Sequence, residues 1–167
     1  MEMWPYPDIV SITCHDVNMK LTTLCYPIVH GRVLLAMKKR GFGVGYWNGP
    51  GGKIEAGETA LEACIRETKE EVGIDVAGLV YRGTVEFDFA GKPEWNNRCE
   101  VFVSEMVMGE AKESEEMLPQ WFEFDAVPYD RMWEDDRIWL PTVLRGGTVS
   151  SRFYFDGSGH LLRHEVL

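Results

Sequence analysis

The spacing of apolar positions changes along the chain, and each change marks an element. Lys20 to Ile28 is rich in β-forming residues, His30-Gly31 is a turn signal, and Val33 to Met37 reads as the returning strand of a hairpin. Lys38 to Gly45 is a basic loop laced with glycine. Tyr46 to Ile54 carries Trp-Asn-Gly-Pro-Gly-Gly, a segment where backbone must approach something closely. The period then becomes helical. Leu61, Cys64, Ile65, Thr68 and Val72 form a stripe expected to be buried, Thr59 and Glu62 make a capping box, and Gly73 stops the helix. Val80 to Ala90 alternates as a strand should, and Arg98 to Val107 and Trp121 to Phe124 are further strands. Tyr129 to Leu144 returns to helical spacing through Met132, Trp133, Trp139 and Leu140, with Pro141 expected to interrupt it. Arg152 to Phe155, the turn Asp156-Gly157-Ser158-Gly159, and His160 to Val166 form a closing hairpin. The mixture predicts an α+β fold, a mixed β-sheet sandwiched between α-helices. Residues 1–18, with Pro5 and Pro7, read as an N-terminal arm, and residues 19–167 as a single domain without repeats or linker.

Composition mainly excludes. With 45% hydrophobic and 26% charged residues, the 167-residue chain is ordinary for a soluble globular protein and long enough to bury a core without staples. No apolar run approaches the ~18 residues of a membrane span. The first thirty residues hold Glu2, Asp8 and Asp16 and only Lys20 as a base, which fits no targeting peptide. Cys14, Cys25, Cys64 and Cys99 form no CxxC pair and read as reduced thiols, which points to the cytoplasm. A formal net charge of −10 argues against binding a nucleic-acid backbone. It leaves room for a small nucleotide, provided a metal bridges the repulsion. A monomer is the default expectation.

Charge changes the picture most at Arg66-Glu67-Thr68-Lys69-Glu70-Glu71. On a helix, Glu67, Glu70 and Glu71 share one face, directed away from the apolar stripe. Three stacked carboxylates repel one another unless a cation lies among them, and hard oxygen ligands suit Mg²⁺ or Mn²⁺. A chain built this way is expected to handle phosphates through metal.

Residues 52–74 resemble the signature of the Nudix hydrolases. The matching positions are Gly52, Glu58, Arg66, Glu67, Thr68, Glu70, Glu71, Gly73 and Ile74, with Thr68 polar where an aliphatic residue is usual. The resemblance implies that Glu67, Glu70 and Glu71 ligate Mg²⁺, joined by a carbonyl at Gly51 or Gly52. Arg66 would orient the glutamates or neutralise them; as an ordinary i,i+4 partner of Glu62 or Glu70 it would look the same. Lys38 could reach a phosphate.

Three further segments are similar to the branch of the family that cleaves oxidised purine nucleoside triphosphates. They are Leu34 to Gly52, Glu113-Ser-Glu-Glu-Met117 with Trp121-Phe122, and Met132-Trp-Glu-Asp-Asp-Arg-Ile-Trp-Leu-Pro141. Relative to that branch the chain has an extra residue near Trp95 to Arg98, and Pro50 replaces an aromatic. The resemblance implies a base pocket. Asn48 would hydrogen-bond the base edge, and Asp135 and Asp136 would read the Watson–Crick face. Phe42 and Trp133 would sandwich or line the ring, with Thr23, Phe87, Phe89 and Met117 nearby. Two adjacent carboxylates in a partly dry pocket cannot both ionise cheaply, so one would donate while the other accepts. Glu116 would be a further metal ligand or the water-activating base, and the base stays open among Glu70, Glu71 and Glu116. The expected reaction converts 8-oxo-dGTP, and 2-hydroxy-dATP, to monophosphate and pyrophosphate. Other Nudix substrates, such as ADP-ribose, dinucleoside polyphosphates or methylated purine triphosphates, are weighed against by the flanking segments. The intact glutamates weigh against a catalytically silent module.

Overall fold

The computed structural model describes residues 19–167; the arm and Cys14 lie outside them. Ten strands and two α-helices follow one another: β1 (Lys20–Val29), β2 (Arg32–Lys38), β3 (Trp47–Asn48), α1 (Ala60–Val72), β4 (Asp75–Ala77), β5 (Val80–Phe89), β6 (Asn97–Ser104), β7 (Met106–Met108), β8 (Met117–Glu123), α2 (Asp136–Leu144), β9 (Val149–Phe155) and β10 (Leu161–Val166). The main sheet runs β10-β9-β5-β6-β1-β2-β3, with β8 also paired to β2. It is mixed: β1 lies parallel to β6 and β5 parallel to β9, while the other pairs in it are antiparallel.

Its strands bury both faces, so alternate residues feed two cores. Tyr26, Val33, Leu35 and Val101 face a core closed by Trp139, Leu140 and Val143 of α2. Cys25, Leu34, Ala36 and Phe102 face a core closed by Cys64 and Val72 of α1. The α+β expectation therefore holds, with a helix over each face of the sheet.

The feature that makes room for a site is a split between β1 and β2. They pair only beside their turn, at Ile28–Val33 and Val29–Arg32, and then diverge. The glycine-rich segment fills the gap against β1. Thr23 N–H donates to Gly52 O at 2.8 Å, Cys25 N–H to Pro50 O at 2.8 Å, and Ile54 N–H to Leu21 O at 3.0 Å. A side chain at Gly49 or Gly51 would drive its Cβ into the carbonyl oxygen of Cys25 or Thr23.

Four expectations need correction. In α1, Cys64, Thr68 and Val72 are buried, but Ile65 is exposed and Ala63 and Glu71 are buried instead. The inward face is turned toward Glu71, so the three acids do not all point outward. Thr68 satisfies its hydroxyl by donating to Cys64 O at 2.7 Å, which lets a polar residue sit in the core. The helix expected from Tyr129 is broken near Met132 rather than at Pro141: a 3₁₀ turn (Tyr129–Arg131) precedes extended backbone at Met132, and Pro141 lies inside α2. The strand expected from Trp121 begins at Met117, and its Pro119 is tolerated because β8 pairs on one side only. The strand expected to run to Val107 stops at Ser104; β7 then pairs with β4 as a separate ribbon.

Candidate active site

Helix α1 starts with the full capping box, Thr59 and Glu62 bonding reciprocally, and ends on Gly73 at φ 79°. This fixes the register of its acids. Arg66 binds Glu58 at 2.7 and 2.8 Å, Glu67 at 2.9 Å, Glu70 at 3.3 Å and the Lys53 carbonyl at 3.1 Å. One guanidinium thus gathers three carboxylates, and Glu58 is held down to about 2 by it. Glu71 differs. It is buried and accepts the Gly51 N–H at 3.0 Å. Burial pushes its carboxyl up to about 7, against the pull of that N–H and of the Lys38 charge. A side chain at Gly52 would run into the Glu67 carboxylate. Glu116, on the loop before β8, is bound by Arg40, which holds it below the usual carboxylate range.

Among the described residues, no three carboxylate, imidazole or thiolate groups already converge on one point. Glu67 and Glu70 face Arg66, and Glu71 faces the Gly51 N–H. The donor set nonetheless suits a hard divalent cation: carboxylate oxygens on one helix beside a glycine backbone, with three acids of the box, Glu58, Glu67 and Glu70, sharing one arginine. Rotation of Glu67 and Glu70 off Arg66 would complete it.

Beside this helix the split sheet encloses a cavity of about 230 Å³. Thr23, Lys38, Asn48, Met117 and Asp135 line it, as do Phe42, Phe87, Phe89 and Trp133, and Gly51 reaches its edge. Asp136 does not line it; its carboxylate accepts the backbone N–H of Trp133 at 3.1 Å and so holds the backbone from which that ring projects. Tyr26 Oη and the Gly49 N–H both donate to Asn48 Oδ1, at 2.9 and 2.8 Å, which leaves the Asn48 amide nitrogen for the cavity. Asp135 is 1% exposed; Oδ2 accepts the Trp139 indole N–H at 2.8 Å, and Oδ1 is buried without a partner among the described residues. Thr23 Oγ1 is likewise buried and unpartnered. Two orphaned oxygens on one cavity wall are costly unless a ligand satisfies them. Burial raises the carboxyls of both Asp135 and Asp136, and the charge of Asp135 adds to the rise at Asp136.

The rim is aromatic. Phe42 and Trp133 stack on each other at 5.1 Å, with Phe89 edge-on to both at 5.8 and 5.9 Å. With the two rings in mutual contact, they line the cavity rather than flank a ring between them. Tyr46 meets Trp133 edge-on at 5.0 Å. The residues missed from sequence are the supports: Tyr26 behind Asn48, Trp139 behind Asp135, Arg40 on Glu116, and Asn97, which accepts from Thr22 at 3.1 Å in the cavity wall. For Tyr26, Arg40 and Asn97 the signal was weak because each acts across a long sequence separation; Trp139 lies only four residues from Asp135 but reads as ordinary helix core. Glu58 as the partner of Arg66 was within reach, since both belong to the same motif, and so was Trp139 at i,i+4 from Asp135.

A NUDIX domain pattern matches residues 21–143, and the chain belongs to the Nudix family. It is 43% identical over 147 residues to the oxidized purine nucleoside triphosphate hydrolase of Danio rerio, and 41% identical to that of Mus musculus; each match covers 88% of this chain and 94% of the relative. Among solved structures, the MutT protein from Bacillus halodurans superposes with a TM-score of 0.80 at 29% identity, covering 89% of this chain and 97% of that one. No described helix is long and apolar enough to cross a membrane.

Proposed function

We propose that the protein is a Mg²⁺-dependent pyrophosphohydrolase that converts oxidised purine nucleoside triphosphates, 8-oxo-dGTP and 2-hydroxy-dATP, to the monophosphate and pyrophosphate, clearing damaged precursors from the nucleotide pool. The observation that carries this reading is the wall holding Asn48, Thr23 and Asp135, polar groups with free hydrogen-bonding capacity, next to the acid-bearing face of α1. The relatives in zebrafish and mouse, similar over most of both chains, support it.

Glu67, Glu70, Glu71 and a Gly51 carbonyl would hold the metal, with Glu116 close by. When bound, it supplies positive charge for a polyphosphate and acidifies a coordinated water. Lys38 would hold a phosphate between cavity and helix; its place in the cavity lining and its charge near Glu71 support this. Asn48 orients the base edge. Asp135, its carboxyl raised by burial, can present either a donor or an acceptor at Oδ1, so two oxidised purines with opposite hydrogen-bonding edges fit one wall. Phe42, Phe89 and Trp133 exclude water from the base. The protein acts as a monomer on free nucleotides in the cytoplasm; its net charge of −10 supports a substrate carried by metal rather than a nucleic-acid surface.

The test is pyrophosphate release from 8-oxo-dGTP, 2-hydroxy-dATP, dGTP, dATP, ADP-ribose and a dinucleoside tetraphosphate, with Mg²⁺, with Mn²⁺ and with chelator. The oxidised purines should give the highest kcat/KM, and chelator should abolish turnover. Equal kcat/KM for dGTP and 8-oxo-dGTP, or a preference for ADP-ribose, would sink the reading.

A further inference from the structure

Phe42 occupies the rim of the base cavity, half exposed, at the tip of the loop between β2 and β3. The stem of that loop is pinned: Lys39 N–H donates to Glu116 O and Gly45 N–H to Lys38 O, both at 2.8 Å. Its tip is closed only locally, by Val44 N–H to Gly41 O at 3.2 Å and Tyr46 N–H to Gly43 O at 3.0 Å. Gly41 and Gly43 flank Phe42 at φ 79° and 80°, a left-handed backbone that turns the tip over. Those bonds shape the turn; what its ring touches sets where the Phe42 ring stands.

The nearest aromatic contact of that ring is Trp95, at 4.7 Å, nearer than Trp133 at 5.1 Å. Trp95 ends the 3₁₀ turn Pro93–Trp95 between β5 and β6 and does not itself line the cavity. It is held on several sides. Its N–H donates to Lys92 O at 2.9 Å, and the Lys92 ammonium lies 5.2 Å over its ring. It also meets Phe89 edge-on at 5.6 Å. The next residue, Asn96, accepts the Phe89 N–H at 2.8 Å and, at its carbonyl, the Lys20 N–H at 3.2 Å. A fixed indole thus abuts the Phe42 ring from the side away from the cavity lining, where the loop's own backbone bonds do not reach.

The spacing of Phe42 and Trp133 gives this contact a consequence. Aromatic carbons touch at about 3.5–4.0 Å, so a base between two rings needs them roughly 7–8 Å apart. At 5.1 Å the base is shut out of that gap. Phe42 therefore bounds the base site from the side, and where it stands decides how much ring edge the site takes. We propose that Trp95 is a specificity-setting positioning residue that fixes Phe42 at the rim of the base cavity. The proposal rests on the reading of that cavity as a purine site.

The test is a double-mutant cycle on Trp95 and Phe42 with 8-oxo-dGTP and dGTP, each variant checked by thermal melting. Trp95→Ala should raise KM for 8-oxo-dGTP about three- to tenfold, the size of one lost aromatic pair, with kcat within about twofold. The preference over dGTP should narrow. Trp95→Phe, which keeps an aromatic face against Phe42, should restore most of the KM. Because Trp95 acts through Phe42, Phe42→Ala and the double variant should share one KM. If Trp95→Ala fails to fold, Trp95→Leu takes its place in the cycle. An unchanged KM, or single effects that simply multiply in the double variant, overturns the proposal. A wild type that releases no pyrophosphate from oxidised purine triphosphates instead sinks the purine reading, so the two failures are told apart.

Discussion

Two buried carboxyls, Glu71 and Asp135, carry most of the chemistry assigned to single residues. Glu71→Gln keeps the shape and still accepts the Gly51 N–H, but removes a proposed metal ligand. It should cut kcat at least about a hundredfold while leaving the melting temperature unchanged or higher. Wild-type turnover in that variant would remove Glu71 from the metal site. Asp135 makes a prediction about pH. Burial raises its carboxyl above the ordinary range, so the native state retains a proton that the unfolded chain releases. Between the ordinary carboxylate value and the raised one, the folded state binds more protons, and stability falls as pH rises. Asp135→Asn removes that loss and can still accept from Trp139. Its melting temperature should match the wild type near pH 4 and exceed it by about 2–4 °C near pH 8, the shift expected for roughly 1 kcal/mol in a chain of this size. Parallel melting curves across pH would refute it. The same variant should lose its preference for oxidised over unmodified purine.

The elements explain what could and could not be read from sequence. The ends of helix α1 were readable to the residue because its capping box and terminal glycine are local signals, whereas its buried face was misjudged at Ile65 and Glu71. The strands were found but not their ends: Pro119 disguised the start of β8, and the alternation after Ser104 hid the change of partner from β6 to the β4–β7 ribbon. The split between β1 and β2 had no local signature, although the glycines that fill it did. Those glycines differ in kind. At Gly51 an added Cβ meets the Thr23 carbonyl, which belongs to a strand and cannot give way; at Gly52 it meets the end of the Glu67 side chain, which can. Gly51→Ala should therefore lower the melting temperature and activity together. Gly52→Ala should melt close to the wild type yet bind Mn²⁺ more weakly, as followed by titration calorimetry. Equal destabilisation in the two variants would show that the segment is only a structural filler.

At the scale of the whole molecule, the two sides of the sheet divide the work. Tyr26 and Trp139 belong to the core under α2 and support Asn48 and Asp135, whereas the acids stand on α1 over the other core. On the proposed reading, base and metal would be held by different layers that meet along the glycine segment and Lys38. No local pattern reveals such a division, because Tyr26 and Trp139 look like ordinary core until the chain is folded. It has a thermodynamic consequence. A nucleoside monophosphate should engage the base cavity with protein groups alone, and so should stabilise the fold without metal. A ligand at one hundred times its Kd contributes about 2.7 kcal/mol, which corresponds to a rise of roughly 5–10 °C in melting temperature. Pyrophosphate has no base to anchor and approaches a chain of net charge −10, so it should stabilise only when Mg²⁺ is present. Thermal melts with 8-oxo-dGMP and with pyrophosphate, each with Mg²⁺ and with chelator, measure both halves separately. If 8-oxo-dGMP protects only with metal, the base cavity does not stand alone and the metal helps to form it.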